Sequence, residues 1–235
     1  MWDFDAEVAR VIQRSPTVKS FQFLANGLDF LAGQFFFVTI KVNGADAEHH
    51  FSFSNAPTDK GYIEFTKRIT GSDYSRALDV LKPGDPAKLR GPFGHFTLPN
   101  DIRPLAFLSG GIGITPLRSM MRYTIQKGLP FDIVLLYGCP SQEEILFRDE
   151  FDDMAQAHRN IRVEYVLSGP VFPPGWQGRK GFINKDMIAG VIPDYKNRVF
   201  YISGPPKMVT SLTEQVQQLG VPEEQIKRDS FTGYD

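Results

Sequence analysis

The segment Leu105–Ser119, LAFLSGGIGITPLRS, joins an apolar run to a cluster of glycines and then to a stretch with helical character. A strand that ends in a glycine turn and leads into a helix forms an anion site, because backbone N–H groups and the helix dipole both favour phosphate there. Pro116 suits the first turn of a helix, where its missing N–H leaves nothing unpaired. The segment therefore predicts a nucleotide phosphate site, although a plain glycine-rich turn gives the same local pattern.

The glycine spacing does not match the two best-known phosphate motifs. Pro116 stands where the pattern GxGxxG would place its third glycine, and GxxxxGK[ST] is absent from this segment. The rest of the chain therefore has to identify the kind of site.

Composition narrows the class of protein. The chain has 235 residues, enough for two domains, and a net charge of −1, which argues against nucleic acid or a membrane surface as partner. Its one cysteine, Cys139, allows neither an intrachain disulfide nor a thiolate zinc or iron–sulfur site. The first residues, MWDFDAEVARV, lack the pattern of a signal peptide, and no apolar run has transmembrane length. These features predict a cytoplasmic protein with no metal site.

The first hundred residues have the short, Val-, Ile-, Phe- and Thr-rich segments of β-strands, separated by turn signals such as Asn43-Gly44. The predicted strands are Glu7–Gln13, Val18–Phe23, Phe35–Lys41, His50–Ser54, Tyr62–Lys67 and Ala87–Arg90. One helix, Tyr74–Leu81, interrupts them and can be capped by Ser72 or Asp73. This spacing predicts a six-stranded antiparallel β-barrel.

After residue 99, strands alternate with helices. The predicted strands are Leu105–Ser109, Asp132–Tyr137, Arg162–Leu167, Arg198–Ile202 and Gln225–Asp229, and the predicted helices are Pro116–Lys127, Phe147–Ala157, Lys185–Ala189 and Pro206–Leu219. Such alternation predicts a doubly wound α/β parallel sheet. The chain thus divides into domains 1–99 and 100–235.

Ligands in doubly wound sheets bind beyond the carboxyl ends of the strands. Three predicted strand ends are rich in small or polar residues: Ser109-Gly110-Gly111, Tyr137-Gly138-Cys139 and Ser203-Gly204-Pro205-Pro206. Together they predict one composite nucleotide cleft.

Eight segments occur in an order that resembles the ferredoxin–NADP reductase superfamily over nearly the whole chain. They are Gly33-Gln34-Phe35, His49–Ser54, Gly71–Ser75, Leu81–Asp85, Gly91–Phe96, Gly110–Pro116, Ser203–Met208 and Asp229–Phe231. Each motif is weak alone, but their common order is specific.

The resemblance implies an N-terminal FAD-binding domain. The implied flavin-binding residues are His49, Phe51, Ser52, Phe53, Ser54, Thr66, Lys67, Gly71, Ser72, Tyr74 and Ser75. Ser52 would hydrogen-bond flavin N5 and Phe51 would stack on the ring. The structural alternatives are an ordinary strand serine and a core phenylalanine.

The resemblance also implies an NAD(P)-binding domain. Its implied nucleotide-binding residues are Gly110, Gly111, Gly113, Thr115, Pro116, Gly204, Pro205 and Met208. The implied catalytic residues are Ser52, Ser203, Asp229 and Phe231. Phe231 would shield the flavin or fill the nicotinamide pocket, and Asp229 with Ser203 would form a proton path.

Several positions depart from the family pattern. His49 replaces the usual arginine, so Lys67 or Arg68 would have to supply a charge for the flavin pyrophosphate. Phe51 replaces tyrosine, and Ser203 replaces cysteine. Gly169 and Pro140 stand where relatives that use NADPH often carry arginine, which favours NADH, although Arg179 and Lys180 offer alternative cations for a 2′-phosphate.

The predicted function is an NAD(P)H-dependent, FAD-containing reductase. Hydride would pass to FAD, and single electrons would then pass to a separate carrier: a ferredoxin, a flavodoxin, or the iron–sulfur or haem component of an oxygenase. Two alternatives remain at this stage. One is a reductase of free flavin or ferric chelates, and the other is a nucleotide-binding flavoprotein subunit or redox-sensing module of a larger complex.

Overall fold

A computed structural model describes residues 1–231 of the chain. The contacts divide it into two compact units, one of Met1–Leu98 with Arg118–Gly128 and one of Pro99–Leu117 with the residues from Leu129 onward. Residues 118–128 therefore pack with the first unit. The division into domains 1–99 and 100–235 stays a prediction about independent folding.

The first unit is built on a six-stranded antiparallel sheet. Its elements are β1 (Trp2–Ser15), β2 (Val18–Leu24), β3 (Phe35–Val42), β4 (Ala45–Ser52), β5 (Tyr62–Arg68), α1 (Asp73–Asp79) and β6 (Pro86–Phe93). The strand order is β4-β3-β6-β1-β2-β5, and every pairing is antiparallel. This arrangement confirms the predicted six-stranded β-barrel fold class.

A tight turn and the packing of aromatic rings stabilise the sheet of the first unit. Asn43 and Gly44 have φ of 51° and 83° and join paired residues of β3 and β4, so they form the two-residue turn that a tight hairpin requires. Between the strands, the ring of Phe53 stacks on Phe30 at 3.8 Å and on Phe36 at 4.5 Å between centroids. The many phenylalanines of the first half therefore form the core of the unit.

The second unit is a parallel sheet with helical connections. Its elements are β7 (Leu105–Gly110), β8 (Ile133–Cys139), α3 (Arg148–Ala157), β9 (Ile161–Leu167), β10 (Arg179–Lys180), α4 (Lys185–Val191), β11 (Val199–Gly204), α5 (Pro206–Gln218) and β12 (Ile226–Ser230). Helix α2 (Ile114–Gln126) begins here, and its residues from Arg118 onward are grouped with the first unit. The order β10-β9-β8-β7-β11-β12, parallel throughout, confirms the doubly wound sheet.

The central strands β7 and β11 are buried along their whole length, as expected for a parallel sheet covered on both faces. The chain runs from β7 outward to β10 on one side and from β11 to β12 on the other. The direction of winding thus reverses between β7 and β11, which is where ligands bind in open α/β sheets.

Several boundaries differ from the sequence prediction: β1 is longer than Glu7–Gln13, and β4 spans Ala45–Ser52 rather than His50–Ser54. Helix α2 begins at Ile114 rather than at Pro116, because proline is tolerated anywhere in the first turn, where N–H groups have no helical acceptor. Strand β10 has only two residues, too few to leave a periodic signal. Among residues 1–231, none of the helices combines the length and apolar character needed to cross a membrane.

Candidate functional site: two glycine loops and a flavin-type surface

A short 3₁₀ turn, Gly111–Gly113, follows β7 at the switch point of the second unit. Gly111 has φ of 53°, a left-handed conformation that favours glycine, and a Cβ there would meet no atom within 4 Å. A Cβ on Gly113, in contrast, would lie 2.4 Å from the Cα of Gly204. The loop after β7 and the loop after β11 therefore meet backbone to backbone.

The second loop approaches the first at another point. A Cβ on Gly110 would lie 2.3 Å from the sulfur of Met208, in the first turn of α5, and 3.6 Å from Pro205. The structure thus brings the predicted nucleotide-binding residues Gly110, Gly113, Gly204, Pro205 and Met208 together at one edge of the sheet. Glycine-rich loops between a strand end and a helix let backbone N–H groups approach a dinucleotide pyrophosphate, so this edge fits such a ligand.

Polar side chains lie in register at the same edge. Ser109, Ser203 and Asp229 are directly paired across β7, β11 and β12. The hydroxyls of both serines are fully buried and have no hydrogen-bond partner among the described residues. Burial raises the pKa of Asp229 to about 6. The row combines two hydroxyls that lack partners among the described residues with a carboxyl whose pKa is about 6.

Phe231 adjoins this row at the end of β12. Its N–H donates to the carbonyl of Gly204 at 2.9 Å, and its side chain is half-buried. Three predicted catalytic residues of the second unit, Ser203, Asp229 and Phe231, are therefore neighbours of the glycine loops.

Thr115 and Pro116 have local structural roles. The Thr115 hydroxyl donates to the carbonyl of Ile112 at 3.2 Å and is buried, and Pro116 is also buried in the first turn of α2. Their side chains shape the loop, so contact with a nucleotide is left to the backbone.

The first unit presents a half-buried aromatic surface where the resemblance places the flavin. One face of the Phe51 ring stacks on Phe65, with centroids 4.3 Å apart. The ring of His49 lies 4.1 Å from that of Tyr74, whose hydroxyl donates to the carbonyl of Val38 at 2.7 Å. The hydrogen bond to Val38 thus holds the Tyr74 ring in place. The ring of Phe51 remains partly exposed.

Two basic groups lie close to this surface. Burial, with Lys67 and His50 nearby, lowers the pKa of His49, so the ring is neutral at pH 7. Burial also lowers the pKa of Lys67 to about 8, which leaves this amine mostly charged at pH 7. A phosphate here would receive its charge from Lys67 and at most a hydrogen bond from His49.

The segment before α1 supplies hydroxyl groups. The Ser72 side chain caps the helix by accepting from the N–H of Ser75, and the Thr70 hydroxyl lies 3.3 Å from Ser72 and 3.1 Å from Ser75. A Cβ on Gly71 would meet nothing within 4 Å. Ser72 is both the predicted cap and an accessible polar residue, whereas Ser75 is buried.

The side chains of three predicted flavin residues are packed in the interior, and those of Tyr74 and Ser75 are buried as well. Phe53 is enclosed by other rings, and the hydroxyls of Ser54 and Thr66 join a buried network with Ser20 and Glu64. Their side chains are committed to the protein interior, which leaves their backbone for contact with a flavin, and their part in binding it stays a prediction. Ser52 is also buried, at the end of β4.

Sequence reasoning missed two residues of the second unit. Ser109 carries one of the orphaned hydroxyls, and Tyr137 donates a hydrogen bond to the Gly111 carbonyl. A signal existed, since both residues stand at strand ends that are rich in small or polar residues. Their roles became visible only with the register of the strands.

A barrel with a flavin-type surface and a parallel sheet with paired glycine loops define a class of two-cofactor oxidoreductases. An oxidoreductase FAD-binding domain model matches residues 5–98, and an oxidoreductase NAD-binding domain model matches residues 107–214. The chain belongs to the ferredoxin–NADP reductase family of FAD- and NAD-binding oxidoreductases.

Individual relatives agree with this assignment. Ferredoxin–NADP reductase B of Sorangium cellulosum is 32% identical over 97% of both chains. One component of the Na(+)-translocating NADH-quinone reductase of Marinomonas sp. is 31% identical over 78% of this chain, which spans 48% of that protein. The structure of a ferredoxin NADP+ reductase from Neisseria gonorrhoeae with bound FAD and NADP shares the fold, with a TM-score of 0.83, 19% identity and coverage of 97% of this chain and 98% of that one.

Proposed function

We propose that this protein takes hydride from NADH or NADPH onto FAD and passes single electrons to a separate carrier protein. The observation that carries the proposal is the meeting of the two glycine loops at the switch point, beside two buried hydroxyls without partners among the described residues. Ligands of open α/β sheets bind at such a switch point, and glycine lets the backbone approach a pyrophosphate closely.

The bound cofactors supply the redox chemistry, a hydride donor in the nicotinamide and a one- or two-electron acceptor in the flavin. The chain's own residues bind and orient them. Gly110, Gly111 and Gly113 offer backbone N–H groups to the pyrophosphate. Phe51 provides an aromatic face for the isoalloxazine ring, and Ser52 a hydroxyl for its N5.

Protons are handled by the polar row in the second unit. With a pKa of about 6, Asp229 exchanges a proton close to neutral pH without a large energetic cost. Ser203, its direct neighbour on β11, can accept and donate a hydrogen bond. Phe231, whose N–H donates to the Gly204 carbonyl at 2.9 Å, is the proposed shield of the flavin or occupant of the nicotinamide pocket.

NADH, rather than NADPH, is the proposed hydride donor. The guanidinium of Arg179, one candidate for a 2′-phosphate, is paired with Glu164 at 3.2 Å. A Cβ on Gly169 would lie 2.3 Å from the carbonyl oxygen of Pro140, so the backbone leaves no room for an arginine at that position. Arg179 is thus already paired and position 169 carries no cation, while the amine of Lys180 lies over the ring of Phe172 at 4.9 Å.

The proposed acceptor is a separate iron–sulfur, flavodoxin or haem protein. The relative that matches over 97% of both chains is a ferredoxin–NADP reductase, which supports an external carrier. The single cysteine of this chain cannot ligate a cluster of its own. A cytoplasmic location is part of this proposal.

Reconstitution tests the acceptor. The FAD-loaded protein, NADH and cytochrome c are mixed with and without a ferredoxin, a flavodoxin, free FMN or a ferric chelate. The proposal expects cytochrome c reduction to appear when a carrier protein is added. Rapid reduction of free flavin or ferric chelate, with no stimulation by any carrier, would instead support the direct reductase.

A second candidate function is that of a flavoprotein component in a larger redox complex. It is favoured by the relatives that belong to Na(+)-translocating NADH-quinone reductases, since this chain spans about half the length of those proteins. In that case the isolated protein would oxidise NADH with an artificial acceptor but would reduce none of the soluble carriers.

A further inference from the structure

Tyr137 connects two loops at the carboxyl edge of the parallel sheet. Its ring is fully buried at the end of β8, where it is paired with Ser109 of β7. The hydroxyl donates to the carbonyl of Gly111 at 2.9 Å and accepts from the N–H of Leu146 at 3.4 Å. One phenol group thus bonds both the glycine loop after β7 and the segment between β8 and α3.

The bond to Gly111 controls the direction of the next N–H group. The two groups of a trans peptide point in opposite directions, so a carbonyl held by Tyr137 turns the N–H of Ile112 away from it. The same carbonyl accepts from the N–H of Ile114 and so also closes the 3₁₀ turn. Because Gly111 is glycine with φ of 53°, its own backbone restrains this peptide weakly.

We infer that Tyr137 is a positioning residue for the pyrophosphate of the nicotinamide dinucleotide. Its hydroxyl holds the Gly111–Ile112 peptide in the orientation that offers an N–H, rather than a carbonyl oxygen, to an anion. This inference rests on the proposed nucleotide site and identifies the side chain that keeps this site preformed. The expected consequence is tighter dinucleotide binding with no direct part in hydride transfer.

The chain offers a closely matched control. Tyr165 is paired with Tyr137 on the neighbouring strand, with ring centroids 6.4 Å apart. Its hydroxyl also makes two hydrogen bonds, but to helix α3, at the Arg148 carbonyl and the Asp152 carboxylate. Changing either tyrosine to phenylalanine removes one buried hydroxyl, and only Tyr137→Phe removes a bond to the glycine loop.

The test compares binding of NAD+ and ADP-ribose to the FAD-loaded wild type and the two variants by calorimetry. We expect Tyr137→Phe to weaken both ligands about 5- to 20-fold, as loss of a hydrogen bond implies, and Tyr165→Phe to change them less than about two-fold. In turnover, Tyr137→Phe should raise KM for NADH and leave kcat unchanged.

The test distinguishes a failure of the nucleotide site from a failure of the positioning role. A wild type that binds neither ligand would refute the nucleotide site itself. A wild type that binds both, with Tyr137→Phe binding equally well or both variants weakened alike, would refute the positioning role. Amide exchange without ligand gives a second measurement: the Leu146 N–H should exchange faster in Tyr137→Phe, and unchanged exchange contradicts the inference.

Discussion

His49 changes the charge of the flavin-type surface relative to the family pattern. The family pattern has arginine here, which carries a permanent charge, whereas the lowered pKa of His49 keeps its ring neutral at pH 7. Lys67 then remains the main cation at the flavin-type surface, and its pKa of about 8 makes that charge sensitive to alkaline pH.

The change His49→Arg should tighten FAD binding. A charge-assisted hydrogen bond contributes about 1 kcal/mol more than a neutral one, so the dissociation constant should fall roughly five-fold. Quenching of flavin fluorescence on titration of the apoprotein measures it. The control is His50→Arg, since the ring of His50 lies against Phe35 instead. Unchanged or weaker binding in His49→Arg would argue against a phosphate near this position.

Asp229 provides a pH-dependent prediction. Its folded pKa of about 6 lies above the usual unfolded value, so the folded state holds a proton that the unfolded state releases as pH rises. The wild type should therefore lose stability relative to Asp229→Asn as pH rises toward 6, and the difference should stay constant above it. Urea unfolding of both proteins at a series of pH values measures this. A difference that is independent of pH would show that the carboxyl is not buried.

At the scale of elements, the nucleotide site is formed by the ends of strands β7 and β11 and the turns that follow them. The strand was predictable as Leu105–Ser109 and the glycines after it as a ligand loop, because a buried parallel strand is a continuous apolar run. The loop at Gly204 was predictable as part of the same nucleotide cleft, from the small and polar residues at its strand end. Its contact with Gly113 depends on the placement of β11 beside β7, which local sequence does not encode.

The close approach of these loops predicts different costs for two glycines. Gly113→Ala places a methyl group against the backbone of Gly204, and overpacking against backbone costs about 1–3 kcal/mol of unfolding free energy. Gly111→Ala has open space and meets only the strain of its positive φ, about 1 kcal/mol. Chemical denaturation of both variants should find Gly113→Ala the less stable. The reverse order would contradict the described loop geometry.

Two buried residues of the first unit, both predicted to bind the flavin, show the same limit. Ser54 and Thr66 have the polarity of ligand-binding residues, yet they form a buried network with Glu64, whose carboxylate also pairs with Arg118 at 2.9 Å. A buried carboxylate needs such partners. Since Arg118 lies 54 residues from Glu64 in the chain, this pairing was not visible in any local motif.

At the scale of the whole molecule, the chain combines two units that each suit one cofactor. The order of weak motifs along the sequence was enough to predict both fold classes and the family. The donor preference and the electron acceptor depend on a few side chains and on a partner surface. Arg179 shows this, as its pairing with Glu164 became known only from the structure.

The central claim is that this protein accepts hydride from a nicotinamide nucleotide onto bound FAD. Stopped-flow mixing of the FAD-loaded protein with NADH and, in parallel, with NADPH under anaerobic conditions tests it most directly. We predict bleaching of the flavin absorbance by both donors, with NADH effective at lower concentration. A protein that retains no FAD, or whose bound FAD is bleached by neither donor, would contradict the account.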